Sequence, residues 1–337
     1  MGKRMGRQTV RLERPPVLHA WAAVGGKKEG EGPLKNCFDA IAEDSYFGEQ
    51  SWEKAESHLL RQSFELACDK AELSPSQLDY VLSGDLLNQC ISSAFAQRDG
   101  AVPYFGLYGA CSTMAEALGL GAMLIDGGFA ARLCAVTGSH FCSAERQYRF
   151  PLEYGGLRPP SAQWTVTGAG AVILARAGVG PHITHVTTGV ITDAGITDAN
   201  NMGAAMAPAA HATLTAHFSE THRSFADYDA VFTGDLGALG RDILQSLLKK
   251  EGLDAGVKLM DCGVLIYDRK TQGVNSGGSG CGCSASVLAA HILPAMEKGI
   301  WNRVLFAATG ALLSTTSAQQ GESIPGICHA VVIENEV

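Results

Sequence analysis

Asp79-Tyr80-Val81-Leu82-Ser83-Gly84-Asp85-Leu86 returns later in the chain as Asp229-Ala230-Val231-Phe232-Thr233-Gly234-Asp235-Leu236. Each copy is a short apolar run that ends on hydroxyl, glycine, aspartate and leucine. This reads as a buried strand with its exit turn. Further matches follow in the same order. Ala110-Cys111-Ser112 parallels Gly282-Cys283-Ser284, and Arg132–Gly138 parallels Val304–Gly310 at the same offset. Ala171-Val172-Ile173-Leu174 parallels Ala330-Val331-Val332-Ile333. Four ordered matches predict a duplicated unit, with a first half over 1–180 and a second over 181–337. Each half reads strand, helix, strand, helix, strand, strand. Apolar strands that alternate with helices predict an α/β fold whose mostly parallel sheet is covered on both faces. Two such units predict two sheets that share a helical middle layer, with the helices near Cys111 and Cys283 meeting at a pseudo-twofold axis.

Outward from the repeat, Val17–Ala23 predicts a first strand, and Lys27–Pro33 predicts a charged, Gly-rich loop. Trp52–Ala71 carries apolar residues at helical spacing, and Ser74-Pro75-Ser76-Gln77 is a capping box. Gly109-Ala110 leads to Cys111, and a helix is expected from Ser112 to the Gly127-Gly128 stop. A thiol at a helix N-terminus is expected to favour thiolate and to be a candidate nucleophile. The plainer alternative is a small buried cysteine.

Composition bounds the function. Among 337 residues, 46% are hydrophobic and 18% charged, as in a compact globular chain. The net charge of −8 argues against nucleic-acid binding. Lys3, Arg4, Arg7, Arg11 and Arg14 make the terminus basic, and it is expected to fray. No apolar segment follows Met1-Gly2-Lys3-Arg4, so no signal peptide is expected. No stretch approaches the ~18 consecutive apolar residues of a spanning helix. The ten cysteines lie mostly in apolar runs and read as reduced thiols. Cys281-Gly282-Cys283 lacks a second pair, which argues against zinc.

The duplicated βαβαβαββ unit with a cysteine at its first central helix resembles the thiolase-like superfamily. The resemblance implies a five-layered α-β-α-β-α sandwich. Three stretches, Lys28–Leu34, Thr137–Gly155 and Asn201–Ala210, resemble the stage V sporulation protein AD family more narrowly. That resemblance implies a sporulation protein that binds dipicolinate (pyridine-2,6-dicarboxylate), free or as its calcium chelate, and is required for its uptake into the developing spore. It implies no other cofactor. It further implies a homodimer lying peripherally on the cytoplasmic face of the forespore inner membrane, beside membrane components of the spore dipicolinate channel.

Condensing enzymes of this superfamily assist their cysteine with two residues from the second half. In the initiating ketoacyl synthases, a histidine follows the strand that here reads Val231-Phe232-Thr233-Gly234; this chain has Asp235. The Gly-Asn-Thr-Ser motif maps onto Gly280-Cys281-Gly282-Cys283. Cys111, Asp235, Cys281 and Cys283 therefore read as a vestigial catalytic set, and no enzyme activity is expected. The alternative is a thiolase-type acyltransferase that uses Cys111, with Cys281 or Cys283 as acid/base thiol. An ionised carboxylate cannot donate to an oxyanion.

Dipicolinate is flat and doubly anionic, so its pocket calls for guanidinium forks and backbone N–H groups. The expected ligand-binding residues are Cys111 and Ser112 at the helix start, with His140, Arg146 and Arg149 from the following loop. Arg158, Phe141, Tyr148, Phe150 and Tyr154 accompany them. The plain alternative is a salt-bridge network of Glu145, Arg146, Arg149 and Glu153. Asp193, Asp198, Asn200 and Asn201 form an oxygen-rich loop that reads either as calcium ligands or as turn formers.

Overall fold

The computed structural model describes residues 3–149 and 156–336. The first half contains β1 (Thr9–Arg11), β2 (Val17–Gly25), β3 (Ala40–Ile41), α1 (Trp52–Lys70), β4 (Tyr80–Gly84) and α2 (Ile91–Gln97). It continues through β5 (Tyr104–Gly106), α3 (Thr113–Asp126), β6 (Arg132–Ser139), α4 (Phe141–Tyr148), β7 (Trp164–Thr165) and β8 (Gly168–Ala175). The second contains β9 (His182–Thr187), α5 (Met202–Thr221), β10 (Ala230–Thr233), α6 (Gly237–Lys250), β11 (Leu259–Asp261) and α7 (Cys262–Leu265). It ends with β12 (Gly278–Ser279), α8 (Cys281–Val287), α9 (Leu293–Glu297), β13 (Arg303–Ala311), α10 (Thr315–Gln319) and β14 (Gly326–Glu334).

The strands repeat in space as they do in sequence. One half runs β5-β4-β6-β8-β2 and the other runs β11-β10-β13-β14-β9. In both, the first two pairings are parallel and the last two antiparallel. The expectation of two separate sheets needs correction. β2 and β9 meet at one pair, Val17 with His182, so the strands form one continuous path. Beyond that pair β1 takes over the edge of β9.

Alternate residues of each strand enter different cores, because successive side chains point to opposite faces. Leu133 and Ala135 of β6 join the central core, while Cys134 and Val136 join the core beneath α1. Phe306 and Ala308 of β13 join the central core, while Leu305 and Ala307 pack under α5. Three cores separated by two curved sheet halves give the five layers. This is why the strands read as continuous apolar runs.

The middle layer holds α3 and α8. A Cβ on Gly119 would lie 2.9 Å from Val186 of β9, and one on Gly121 would lie 2.8 Å from Leu133 of β6. The small residues of α3 thus let one helix touch both sheet halves. α8 also meets the turn that leads into α3: Ser284 Oγ donates to the Cys111 carbonyl at 3.5 Å.

The aspartates that open each repeat have matching jobs. Asp79 Oδ2 accepts the N–H groups of Ala131 and Arg132, and Asp229 Oδ2 accepts those of Asn302 and Arg303. Each ties the start of one strand to its neighbour. Asp79→Ala and Asp229→Ala are each expected to lower stability by about 1–2 kcal/mol, the cost of two charge-assisted bonds at an exposed site. Urea unfolding checks both values.

The basic terminus does not fray. The Glu220 carboxylate accepts the N–H groups of Arg7, Gln8 and Thr9. Asp126 accepts from Lys3 Nζ at 2.6 Å and from the Arg14 N–H at 2.7 Å. Buried or partly buried carboxylates that satisfy consecutive backbone donors hold the segment in place. The helix expected from Ser112 begins one residue later, after a 3-10 turn over Ala110–Ser112.

Candidate functional site

The chain leaves β5 through Gly109 and turns sharply at Ala110, whose φ is +51°. A non-glycine residue in this region is strained and persists only where its surroundings enforce it. The turn delivers Cys111, 8% exposed, to the floor of a cavity. Ser112 turns inward, and its hydroxyl donates to the Gly109 carbonyl at 2.7 Å. Its N–H also donates to that carbonyl at 3.2 Å, so Ser112 closes the turn and, unlike Cys111, does not line the cavity.

Asp235 follows β10 as Asp85 follows β4, but the two carboxyls have diverged. Asp85 accepts the N–H groups of Leu87 and Ser93 and serves only its own turn. Asp235 Oδ1 accepts from Thr309 Oγ1 at 3.0 Å. Its Oδ2 accepts from Ser279 Oγ at 3.1 Å and from the Gly280 N–H at 2.9 Å. The Cys111 thiol lies beside this carboxyl, close enough for the carboxyl to act on its ionisation.

The electrostatics reverse the thiolate expectation. Burial first, then the Asp235 charge, push the Cys111 thiol well above its ordinary range. The Asp235 carboxyl is itself pushed up to about 7 by burial, with the buried Asp261 carboxyl adding to the shift. A helix N-terminus favours a thiolate only modestly, and full burial beside a carboxyl outweighs it. Cys281 and Cys283 do not supply an acid/base partner. Their thiols donate to the Gly138 and Gly234 carbonyls at 3.0 and 3.6 Å.

Across the cavity, α4 supplies the charged wall. Glu145, 1% exposed, ion-pairs with Arg149, accepts from Thr165 Oγ1 at 3.1 Å, and meets Arg158 Nη2 at 2.6 Å. The inner cavity of about 60 Å³ is lined by Cys111, Glu145, Tyr148, Arg149, Ser279 and Leu313, among others. Tyr148, Arg149 and Leu313 also line a wider outer cavity of about 690 Å³. That outer space is further lined by Arg146, Gln147, Thr197, Asn200, Thr315 and Gln319, and by no carboxylate among the described residues.

The other expected ligand residues separate. His140 is fully buried as the cap of α4: Nδ1 accepts the Cys142 N–H and Nε2 donates to the Ser45 carbonyl at 2.8 Å. It does not reach the Cys111 cavity, so its assignment to the ligand is corrected. Arg146 ion-pairs with Glu53 and lies over the Trp52 ring at 5.1 Å. It rims the outer cavity only. Glu153, Phe150 and Tyr154 lie outside the described residues. In the oxygen-rich loop, Asp193 accepts the Gly195 N–H and Asp198 that of Asn200, while Asn201 caps α5. These oxygens act as turn formers. Among the described residues no group of three or more His, Cys, Asp or Glu is placed to hold a metal ion.

The profile of the stage V sporulation protein AD family matches residues 6–334. The chain belongs to that family. Stage V sporulation protein AD of Bacillus subtilis (strain 168) is 44% identical over 98% of both chains. Among solved structures, 3-oxoacyl-[acyl-carrier-protein] synthase III from Aquifex aeolicus VF5 aligns with a TM-score of 0.58 at 13% identity. It covers 95% of this chain and 99% of its own. A single-residue variant of OleA from Xanthomonas campestris, solved with cerulenin, gives 0.61 at 14% identity, over 96% of this chain and 97% of its own. The fold is thiolase-like, as the resemblance implied.

Within this sporulation family member, four site residues carried little sequence signal. Thr309 lay inside the repeat opposite Thr137, which donates to the Cys281 carbonyl instead. Glu145 reads in the sequence only as a salt-bridge partner. Ser279 and Leu313 sit in segments with no motif, and only the fold brings them to Cys111.

Proposed function

We propose that this chain is a non-condensing member of the thiolase-like fold that binds dipicolinate, free or as its calcium chelate, and is required for its uptake into the developing spore. One observation carries this reading: the outer cavity presents Arg146 and Arg149 with hydroxyl and amide groups, and no carboxylate among its described lining residues. A planar dianion fits such a wall through guanidinium forks. The inner cavity of about 60 Å³ falls well short of the ~300 Å³ of a typical small-molecule site. The ligand's body therefore rests in the outer space, with one carboxylate at Arg149. The protein acts as a homodimer on the cytoplasmic face of the forespore inner membrane and passes the ligand to membrane components of the channel. No helix among the described residues is long and apolar enough to cross a membrane. Titration calorimetry with dipicolinate is expected to give a saturable isotherm; no saturable heat at millimolar ligand removes this reading.

The second reading is an acyltransferase that uses Cys111. The strained Ala110 turn and the cysteine beneath the cavity favour it. A thiol held protonated by burial and the neighbouring Asp235 carboxyl opposes it, because nucleophilic catalysis needs a base or a lowered thiol pKa. Intact-mass spectrometry after incubation with acyl-CoA of several chain lengths is expected to show no adduct. A stable adduct that disappears in Cys111→Ala would establish the acyltransferase instead.

A further inference from the structure

The charged wall of the cavity contains two guanidiniums on one buried carboxylate, and the two are not held alike. Arg158 is fixed three ways. It meets Glu145 at 2.6 Å, its Nη1 donates to the Gln163 carbonyl at 3.0 Å, and it lies over the Phe141 and Trp164 rings at 5.1 and 5.2 Å. Those two rings are themselves stacked at 3.8 Å. The Arg149 guanidinium has Glu145 as its one ion-pair partner among the described residues. Arg149 lines both cavities, while Arg158 lines neither of the two.

Breaking a buried ion pair is costly chiefly because it strands an unpaired charge. Here the carboxylate keeps a counter-ion when Arg149 leaves: Arg158 stays at ion-pair distance from Oε2, which has no hydrogen-bond partner among the described residues, and Thr165 still donates to Oε1. We propose that Glu145 is an internal stand-in for the ligand's carboxylate: it holds Arg149 in the empty site and releases it to an entering anion while Arg158 stays behind as its counter-ion. The ligand class is a small dianion, a carboxylate or an oxyanion of similar span. This rests on the dicarboxylate reading only for the identity of the natural ligand. The exchange itself is a property of the Glu145, Arg149 and Arg158 cluster.

The roles separate by substitution. Glu145→Gln removes the competing charge, so anions are expected to bind about tenfold tighter, the worth of one charge-assisted hydrogen bond. Arg158→Gln leaves Glu145 dependent on Arg149 alone, and binding is expected to weaken about tenfold although Arg158 touches neither cavity. Arg158→Lys keeps the counter-charge and is expected to restore near-native affinity, which a purely structural role for the Arg158 stack would not do.

Calorimetric titration of the full chain and these three variants with dipicolinate and, separately, with inorganic sulfate tests the exchange. The expected order of affinity is Glu145→Gln first, then wild type and Arg158→Lys together, then Arg158→Gln. If sulfate follows this order and dipicolinate does not bind, the dicarboxylate reading fails and the exchange stands. If neither anion binds, or if Glu145→Gln binds equally or more weakly, the exchange is overturned.

Discussion

Arg149→Gln is expected to weaken dipicolinate binding about a hundredfold, while thermal unfolding stays close to that of the wild type. The expectation follows from two features of the site. A guanidinium at the boundary of both cavities can offer a carboxylate two parallel charge-assisted bonds, together worth roughly 3 kcal/mol, or about a hundredfold in Kd. The substitution leaves Glu145 paired with Arg158 and Thr165, so no buried charge is stranded. Arg241→Gln is the control. Arg241 lies on α6, pairs with the exposed Asp242, and lines neither cavity. Arg146→Ala is expected to have a smaller effect than Arg149→Gln, because its guanidinium is half exposed and engaged by Glu53. Calorimetry on the four proteins gives the ranking. Equal affinity in Arg149→Gln and wild type would move the ligand away from this wall.

Asp235→Asn is expected to change two measurable properties together. The native carboxyl is raised from 3.8 to about 7, with burial the first cause, whereas the unfolded chain ionises near the lower value. Between these pH values the native state binds a proton that the unfolded state has lost. The stabilisation is complete below the lower value and is lost as pH rises toward 7. A displacement of that size corresponds to roughly 4 kcal/mol at full ionisation. Asparagine does not titrate, so the variant is expected to lack this fall in stability between pH 4 and 7. Glu29, also buried and raised to about 7, titrates in both proteins, so the difference between them isolates Asp235. The second property is thiol reactivity. Removing the charge beside Cys111 lowers its pKa, and alkylation by iodoacetamide at pH 8 is expected to accelerate at least about tenfold. Chemical denaturation across pH and timed mass spectrometry read the two effects. Unchanged pH dependence and unchanged alkylation would separate Asp235 from the thiol.

The fold was legible because its repeat has physical causes that recur. Asp79 and Asp229 persist because each ties two backbone donors of a neighbouring strand. The apolar runs persist because both faces of each strand are buried. The same repeat hid the site. Asp85 and Asp235 occupy the same position in the same motif, yet one caps its own turn and the other faces Cys111. The difference lies in Ser279, Gly280 and Thr309, which arrive from distant segments. Arg146 and Arg149 show a second limit. They stand three residues apart, but one lies on the exposed side of α4 against Glu53, and the other sits at its C-terminal end beside the buried Glu145. Their order of importance depends on how α4 packs, which composition does not encode. The thiolate expectation failed for a third reason. Helix termini are visible in sequence, whereas full burial beside a carboxyl is not.

The most direct test is a crystal structure determined with dipicolinate. The account predicts planar density in the outer cavity, one carboxylate on the Arg149 guanidinium, Glu145 retained by Arg158, and Cys111 Sγ unmodified. Density continuous with Cys111 Sγ, or dipicolinate bound elsewhere with the Arg149–Glu145 pair intact, would contradict it.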